Sequence, residues 1–181
     1  MNLWHDISIG KNAPEEFNCI VEIPKGSHNK YEIDKETGLI ALDRANYNSA
    51  AYPFDYAFVP QTLWEDGDAL DVIVLSTFPL QTGILVSVRP VAIMYMNDSG
   101  ESDAKIIAVP TNDRRFEKIN DLTDLNEHML KEYSNFFETY KLLKADDPKK
   151  YPVVVSGYQG KAEAIKAIEH SRELYNKKFS K

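Results

Sequence analysis

Apolar and polar residues alternate over several short segments in the first half of the chain. Such alternation is typical of β-strands that bury one face. The segments are Phe17–Ile23, 29–34 and 39–42. Glu22 lies among apolar neighbours in the first of them, and Lys30 and Glu32 share the polar side of the second. Short strands that follow one another in this way predict an antiparallel barrel or sandwich.

Further apolar segments at 72–75, 83–96 and 106–109 also predict strands. Pro90 falls inside the long segment, and since proline cannot donate a hydrogen bond to a neighbouring strand, we expect a break or a bulge there. The segment 52–60 is rich in aromatic residues, and its prolines predict an edge strand or a shaped loop.

The spacing of apolar residues changes from two to three or four in the last third of the chain, which indicates helices. A helix of about five turns is predicted over 125–143, and a second helix over 162–179. The segment 153–155 predicts a short strand between them. We expect the apolar face of the first helix to pack on the sheet.

Length and composition restrict the class of protein. A chain of 181 residues with 43% hydrophobic residues is long enough for one substantial core, so we expect one domain over residues 1–181. No apolar run approaches the roughly 20 residues that span a bilayer, and the N-terminus lacks the features of an export signal. The single cysteine, Cys19, is predicted to be a buried structural thiol. These features predict a cytoplasmic protein.

The formal net charge of −7, with no basic run to offset it, argues against binding to nucleic acid or to acidic membranes. It does not exclude an anionic substrate, because carboxylates that bind a divalent cation can attract phosphate.

The most unusual polar stretch is 66–71, which places Asp66, Asp68 and Asp71 within six residues before a predicted strand. In an extended chain Asp71 would face away from the other two carboxylates, but a bend at Gly67 would let all three converge, as a hard cation such as Mg²⁺ requires. Alone, the hexapeptide is more typical of an acidic turn that faces water. A second acidic turn, at 97–105, also precedes a predicted strand.

Other common site patterns are missing from the sequence. It contains no glycine-rich phosphate loop of the Walker or Rossmann type, and the four histidines are scattered, which gives little support to a zinc site or a catalytic triad. Carboxylates, lysines, arginine and tyrosines remain as candidates for chemistry.

In combination, these stretches resemble the soluble family I inorganic pyrophosphatases. Residues 66–72 match the family's acidic signature, except that Ala69 stands where proline or glutamate is usual. Ser99 stands where a second acid often lies. The resemblance extends over nearly the whole chain and includes the segments 22–24, 30–34, 43–44, 52–56, 89–91, 98–105 and 136–141.

The resemblance implies an α+β fold, in which a small OB-like antiparallel β-barrel is flanked by two main C-terminal α-helices. It also implies Mg²⁺-dependent hydrolysis of pyrophosphate to two phosphates, with several Mg²⁺ ions per subunit. Asp68 resembles the residue that accepts the proton of the attacking water. The residues that resemble metal ligands are Asp66, Asp71, Asp103, Asp98, Glu32 and Glu22. The residues that resemble phosphate ligands are Lys30, Arg44, Tyr56, Tyr140, Lys141 and Lys105.

Two other functions are compatible with the residues themselves. One is a metal-dependent phosphohydrolase that acts on nucleotides or other phosphoesters. The other is an OB-like module that binds single-stranded nucleic acid on the aromatic residues of 52–58, although the acidic balance argues against it. A chain of this length also resembles the family members that assemble as homohexamers.

Overall fold

The computed structural model describes residues 1–179. The strands of this range are β1 (Phe17–Ile23), β2 (Asn29–Ile33), β3 (Ile40–Ala45), β4 (Asp55–Phe58), β5 (Asp71–Val74), β6 (Leu85–Asp98), β7 (Glu101–Ser102), β8 (Lys105–Pro110) and β9 (Val153–Gly160). The α-helices are α1 (Glu127–Thr139) and α2 (Lys161–Phe179), and short 3₁₀ helices occur at Arg114–Phe116, Leu122–Asp124 and Leu142–Lys144.

Five strands form a ring, in which β1, β4, β5, β8 and β6 are neighbours in that order and β6 pairs back with β1. All of these pairs are antiparallel except β5 with β8, which is parallel. Strands β7 and β9 extend the sheet from β6, and β2 and β3 form a separate hairpin. The predicted α+β fold with a small barrel and two C-terminal helices is confirmed, and the parallel pair makes the sheet mixed.

Strand β6 runs through Pro90 without ending there. Its register against β8 shifts between Pro90 and Ala92, so a bulge accommodates the residue that lacks an N–H group. The structure therefore shows the bulge rather than the break. Because β6 is 14 residues long, it pairs with β1 near its start and with β7 and β9 towards its end.

The aromatic segment 52–60 contains an interior strand, because β4 lies between β1 and β5. The prediction of an edge strand or a shaped loop was wrong, since Pro53 and Pro60 lie just outside the four residues of β4 and do not interrupt its hydrogen bonds. Tyr52, Phe54 and Phe58 are each at most 2% exposed. Burial leaves these rings no surface on which bases could stack.

Asp55, at the start of β4, is a fully buried carboxylate that connects two loops. It accepts hydrogen bonds from the backbone N–H of Lys25 at 2.8 Å and of Leu80 at 2.9 Å, and from the hydroxyl of Ser76. The β1–β2 loop and the β5–β6 loop are thereby fixed to the barrel.

Helix α1 is shorter than the predicted 125–143. It begins after Asn126, whose side-chain oxygen accepts hydrogen bonds from the N–H groups of His128 at 2.9 Å and Met129 at 3.1 Å. Its buried face consists of Tyr133, Phe136 and Phe137, and it packs against the aromatic rings before and within β4. This packing fixes the C-terminal end of the helix next to the barrel.

Helix α2 closes another side of the barrel and begins one residue before the predicted start. Its buried residues are Ala164, Ala167, Ile168, Ser171 and Tyr175. The hydroxyl of Tyr175 forms a 2.7 Å hydrogen bond with His5 Nδ1, so the helix also holds the N-terminal segment. Neither helix of residues 1–179 combines the length and apolar content that crossing a bilayer requires.

Candidate active site

A cavity of about 400 Å³ opens between the β2–β3 hairpin, the acidic turn before β5, the β6–β7 hairpin and the C-terminal end of α1. Its wall carries eight acidic side chains and four lysines, and is therefore formally acidic. Of the thirteen site residues predicted from the sequence, twelve line this cavity: Glu22, Lys30, Glu32, Tyr56, Asp66, Asp68, Asp71, Asp98, Asp103, Lys105, Tyr140 and Lys141.

The acidic turn before β5 bends so that its three carboxylates face one cavity. Gly67 has a φ of +87°, which glycine adopts readily, and its N–H donates to the carbonyl of Trp64. The N–H of Asp68 donates to Asp66 Oδ1 at 3.0 Å. As a result Asp66, Asp68 and Asp71 all line the cavity, which is the convergence that a bend at Gly67 allows.

The parallel pairing of β5 with β8 brings the two acidic turns together. In its register Asp71 lies opposite Lys105, and Asp103 precedes Lys105 by two residues. The buried ammonium Nζ of Lys105 lies 2.9 Å from Asp71 Oδ2 and 2.6 Å from Asp103 Oδ1. Burial lowers the pKa of Lys105, but the charges of Asp103 and Asp71 outweigh that effect and hold the pKa above its ordinary value.

Aromatic side chains surround this ion cluster. The hydroxyl of Tyr56 donates to Asp71 Oδ2, and the rings of Tyr56 and Phe137 each lie 5.3 Å from Lys105 Nζ. Tyr140, immediately after α1, is also buried against the cavity. Burial raises the pKa of Tyr56 and of Tyr140, so both phenols stay protonated donors at neutral pH.

Other residues of the cavity wall also form ion pairs. Lys30 Nζ lies 2.6 Å from Glu32 Oε2 and 3.3 Å from Asp43 Oδ2. Lys141 pairs with Asp98, and although partial burial opposes it, the hydrogen bond from Lys141 lowers the pKa of Asp98.

Arg44 is the one predicted site residue that does not line the cavity in the part of the chain that the structure describes. Its guanidinium pairs with Asp43 and lies 5.2 Å from the centre of the Tyr47 ring. Arg44 is opposite Lys30 in the β2–β3 pairing and both contact Asp43, so the guanidinium lies next to a lysine of the cavity wall.

Three acidic residues of the cavity, Glu22, Asp66 and Glu101, form no ion pair within residues 1–179. Burial, and then the charges of Asp71 and Asp103, raise the pKa of Asp66 to about 7. Burial, and then the charge of Asp71, also raise the pKa of Glu22, which accepts a 2.8 Å hydrogen bond from the N–H of Ile33. The cavity therefore holds more negative charge than its lysines compensate.

Comparison with known proteins identifies the family. Residues 19–176 match the family described as inorganic pyrophosphatase. The chain belongs to the inorganic pyrophosphatase family. An inorganic pyrophosphatase of Haloferax volcanii is 44% identical over 183 residues, which covers 99% of each chain. A soluble inorganic pyrophosphatase of Oryza sativa subsp. indica is 45% identical over 95% of this chain and 78% of that protein.

The fold of this pyrophosphatase agrees with the same assignment. The crystal structure of the inorganic pyrophosphatase from Thermus thermophilus matches it with a TM-score of 0.92 at 41% identity, over 97% of this chain and 99% of that one. The predicted membership of the family and the prediction of an enzyme of this class are confirmed. Of the three functions considered from the sequence, pyrophosphate hydrolysis is the one that the family supports.

The cavity also contains residues that no pattern in the sequence indicated. Lys35, in the turn between β2 and β3, pairs with Asp68, and Trp4 forms part of the cavity wall while its indole N–H donates to the carbonyl of Thr62 at 2.7 Å. Glu101 of the β6–β7 hairpin lines the cavity too. Each belongs to a hairpin or a terminal segment whose position over the site depends on tertiary packing, so no local pattern indicated it.

Within residues 1–179, no three His, Cys, Asp or Glu side chains are arranged around a common metal position. The ion pairs explain this, because Lys105 lies between Asp71 and Asp103 while Lys141 contacts Asp98. The chemistry of the donor set nevertheless fits Mg²⁺, which prefers carboxylate oxygens. A divalent cation would also compensate the charge that helps to raise the pKa of Asp66.

Proposed function

We propose that this pyrophosphatase hydrolyses inorganic pyrophosphate to two orthophosphates in a reaction that requires Mg²⁺. The proposed Mg²⁺ requirement follows from the negative charge of the cavity, in which eight acidic side chains face only four lysines. A polyanion such as pyrophosphate would be repelled by this wall unless cations bound there first.

The proposed ligands of the tightly bound cations are Asp66, Asp71 and Asp103, which come from separate turns and face one cavity. Asp98, Glu32 and Glu22 are proposed to hold further ions or their waters. When bound, Mg²⁺ supplies charge neutralisation of the phosphate oxygens and a lower pKa for a coordinated water.

Asp68 is the proposed proton acceptor. Its side chain is 58% exposed at the cavity mouth, next to Asp66, and thus accessible to a water that attacks phosphorus. Its only ion pair in the described chain is with Lys35, itself 57% exposed, so the carboxylate keeps lone pairs free to accept a proton.

The basic and phenolic side chains are proposed to bind the two phosphoryl groups. Lys30, Lys141 and Lys105 bring positive charge to the cavity, and Tyr56 and Tyr140 add protonated donors. Arg44 has the planar fork suited to phosphate oxygens and is proposed to reach the leaving phosphate from its position opposite Lys30 in the β2–β3 hairpin. Neutralisation of the departing phosphate is the main task of such groups in phosphoryl transfer.

Phosphate release by the purified protein tests the proposal. We expect release from pyrophosphate in the presence of Mg²⁺, background release after a chelator is added, and recovery when Mg²⁺ is restored in excess. ATP at the same Mg²⁺ concentration serves as the competing substrate. Turnover that persists in chelator would refute the cofactor assignment, and faster release from ATP would refute the substrate.

A single domain over residues 1–181, assembly as a homohexamer and a cytoplasmic location stay predictions that accompany this function. No nucleic acid or membrane partner is proposed.

A further inference from the structure

Lys105 stands out among the cavity lysines because its side chain is only 2% exposed. The ammonium contacts two carboxylates at once, with the rings of Tyr56 and Phe137 on its other sides. The other three lysines of the cavity have side chains that are 15% to 57% exposed. Lys105 therefore lies inside the carboxylate cluster rather than on its rim.

Two of the three proposed cation ligands, Asp71 and Asp103, are the hydrogen-bond acceptors of Lys105. A cation that takes these oxygens must break both hydrogen bonds and must lie close to an ammonium of the same sign in a buried site. Two positive charges a few ångströms apart repel each other strongly where water is excluded. Lys105 and the cation thus cannot share the present arrangement.

We propose that Lys105 is an internal counter-ion, which a divalent cation must displace from Asp71 and Asp103, and that the displaced ammonium then binds the phosphate anion. The proposal rests on the Mg²⁺ requirement given under the proposed function. It makes Lys105 a determinant of cation affinity in addition to a phosphate ligand.

The backbone restricts how this exchange occurs. Lys105 is opposite Asp71 in the β5–β8 pairing, so its Cα stays close to the carboxylates and only the four-carbon side chain moves. Lys105 lines the cavity together with Tyr140 and Lys141, which are proposed phosphate ligands, so the cavity is the space into which a displaced ammonium can move. A displaced ammonium would therefore lie on the substrate side of the cluster.

Cation binding and phosphate binding are then coupled through one side chain. Because the cation releases Lys105 for phosphate, each ligand raises the affinity for the other, and thermodynamic linkage requires the two effects to be equal. Couplings of this kind usually amount to about 5- to 150-fold.

Calorimetric titration of Mg²⁺ without substrate tests the proposal on the wild type and on Lys105→Met, Lys105→Arg and Lys118→Met. Lys105→Met removes the charge but keeps a long side chain, and we expect it to bind the tightest Mg²⁺ at least about fivefold more tightly than the wild type. Lys105→Arg keeps the charge and should stay near wild-type affinity. Lys118→Met, which removes an exposed charge that is not part of the cavity lining, controls for net charge.

Equal or weaker Mg²⁺ binding by Lys105→Met would overturn the proposal while leaving the proposed function intact, provided that the wild type binds Mg²⁺. A wild type that binds no Mg²⁺ would refute both. Titration with inorganic phosphate completes the test: Mg²⁺ should raise phosphate affinity in the wild type, and this increase should be smaller in Lys105→Met, which keeps the charge reversal by Mg²⁺ but lacks the released ammonium. An increase that is unchanged in the variant would contradict the proposed coupling.

Thermal unfolding separates this role from a merely structural one. Without the Lys105 ammonium the carboxylates of Asp71 and Asp103 repel each other. Lys105→Met should therefore unfold at a lower temperature than the wild type in chelator. Saturating Mg²⁺ should raise its unfolding temperature by more than that of the wild type. A variant that stays unfolded in Mg²⁺ as well would overturn the proposal, because Lys105 would then be required for folding alone.

Discussion

Asp68 is the carboxylate of the acidic turn that lies most openly at the cavity mouth. Replacement by Asn keeps the size of the side chain and its hydrogen bond acceptor but removes the basic oxygen. We expect Asp68→Asn to lower kcat by roughly 10² to 10⁴, the usual contribution of a general base, while pyrophosphate still binds. Steady-state phosphate release and equilibrium binding measure the two quantities.

Glu101→Gln provides the matched control for that substitution, since Glu101 also lines the cavity and has no proposed role in catalysis. A kcat of Asp68→Asn that equals the wild-type value across pH would remove Asp68 from the role of proton acceptor.

The sequence indicated the identity of the cavity residues better than their contacts. The acidic turns at 66–71 and 97–105 each precede a predicted strand, and the resemblance to a family indicated that Asp66, Asp71 and Asp103 are metal ligands. The bridge from Lys105 to two carboxylates depends on the β5–β8 register, and the Lys35–Asp68 pair depends on where a hairpin lies. Contacts between distant segments have no local signature, so these could not be predicted.

At the level of elements, Asp55 is the clearest case of a polar residue that stabilises the loops around the barrel. Asp55→Ala would leave the N–H groups of Lys25 and Leu80 without their acceptor. We expect a loss of about 2 to 5 kcal/mol in the free energy of unfolding, because a buried carboxylate and its charge-assisted hydrogen bonds disappear together. Urea denaturation measures this difference.

The exposed residue Asp146 provides a comparison, and Asp146→Ala should stay within about 0.5 kcal/mol of the wild type. If Asp55→Ala were as stable as Asp146→Ala, the two loops would be held by other contacts.

The sequence predicted where the strands lie along the chain better than it predicted which strands pair and where the helices end. Alternation predicted β1 with its observed bounds, whereas α1 ends at Thr139 although its apolar period continues. Side-chain spacing reports which face is buried, and residues after Thr139 can be buried without being helical. The direction of β5 relative to β8 was not predictable for a similar reason, because a pattern of buried faces is the same in parallel and antiparallel pairs.

The whole molecule exposes several large apolar side chains that do not line the cavity. Phe78 is 70% exposed, Leu143 is 68% exposed and Leu39 is 61% exposed. Scattered exposed apolar residues occur on monomers too, so the surface alone does not define an assembly. The homohexamer is therefore predicted from the resemblance.

Size-exclusion chromatography with light scattering tests that prediction. We expect a mass about six times the 20.6 kDa of one chain. A mass of a single chain at micromolar concentration would exclude a stable hexamer, and the activity of that monomer would show whether the site is complete within one chain.

The proposed cation site requires that separate turns of the fold bring Asp66, Asp71 and Asp103 together as ligands of divalent cations. Mn²⁺ can substitute for Mg²⁺ because both prefer oxygen ligands, and it can be located by its anomalous scattering. The most direct measurement is an anomalous difference map from crystals grown with Mn²⁺. We predict Mn²⁺ within about 2.5 Å of carboxylate oxygens of all three residues, and we predict that Lys105 Nζ no longer contacts Asp71 or Asp103. Mn²⁺ bound only elsewhere, or a cavity in which Lys105 still bridges the two carboxylates at saturating Mn²⁺, would contradict this prediction.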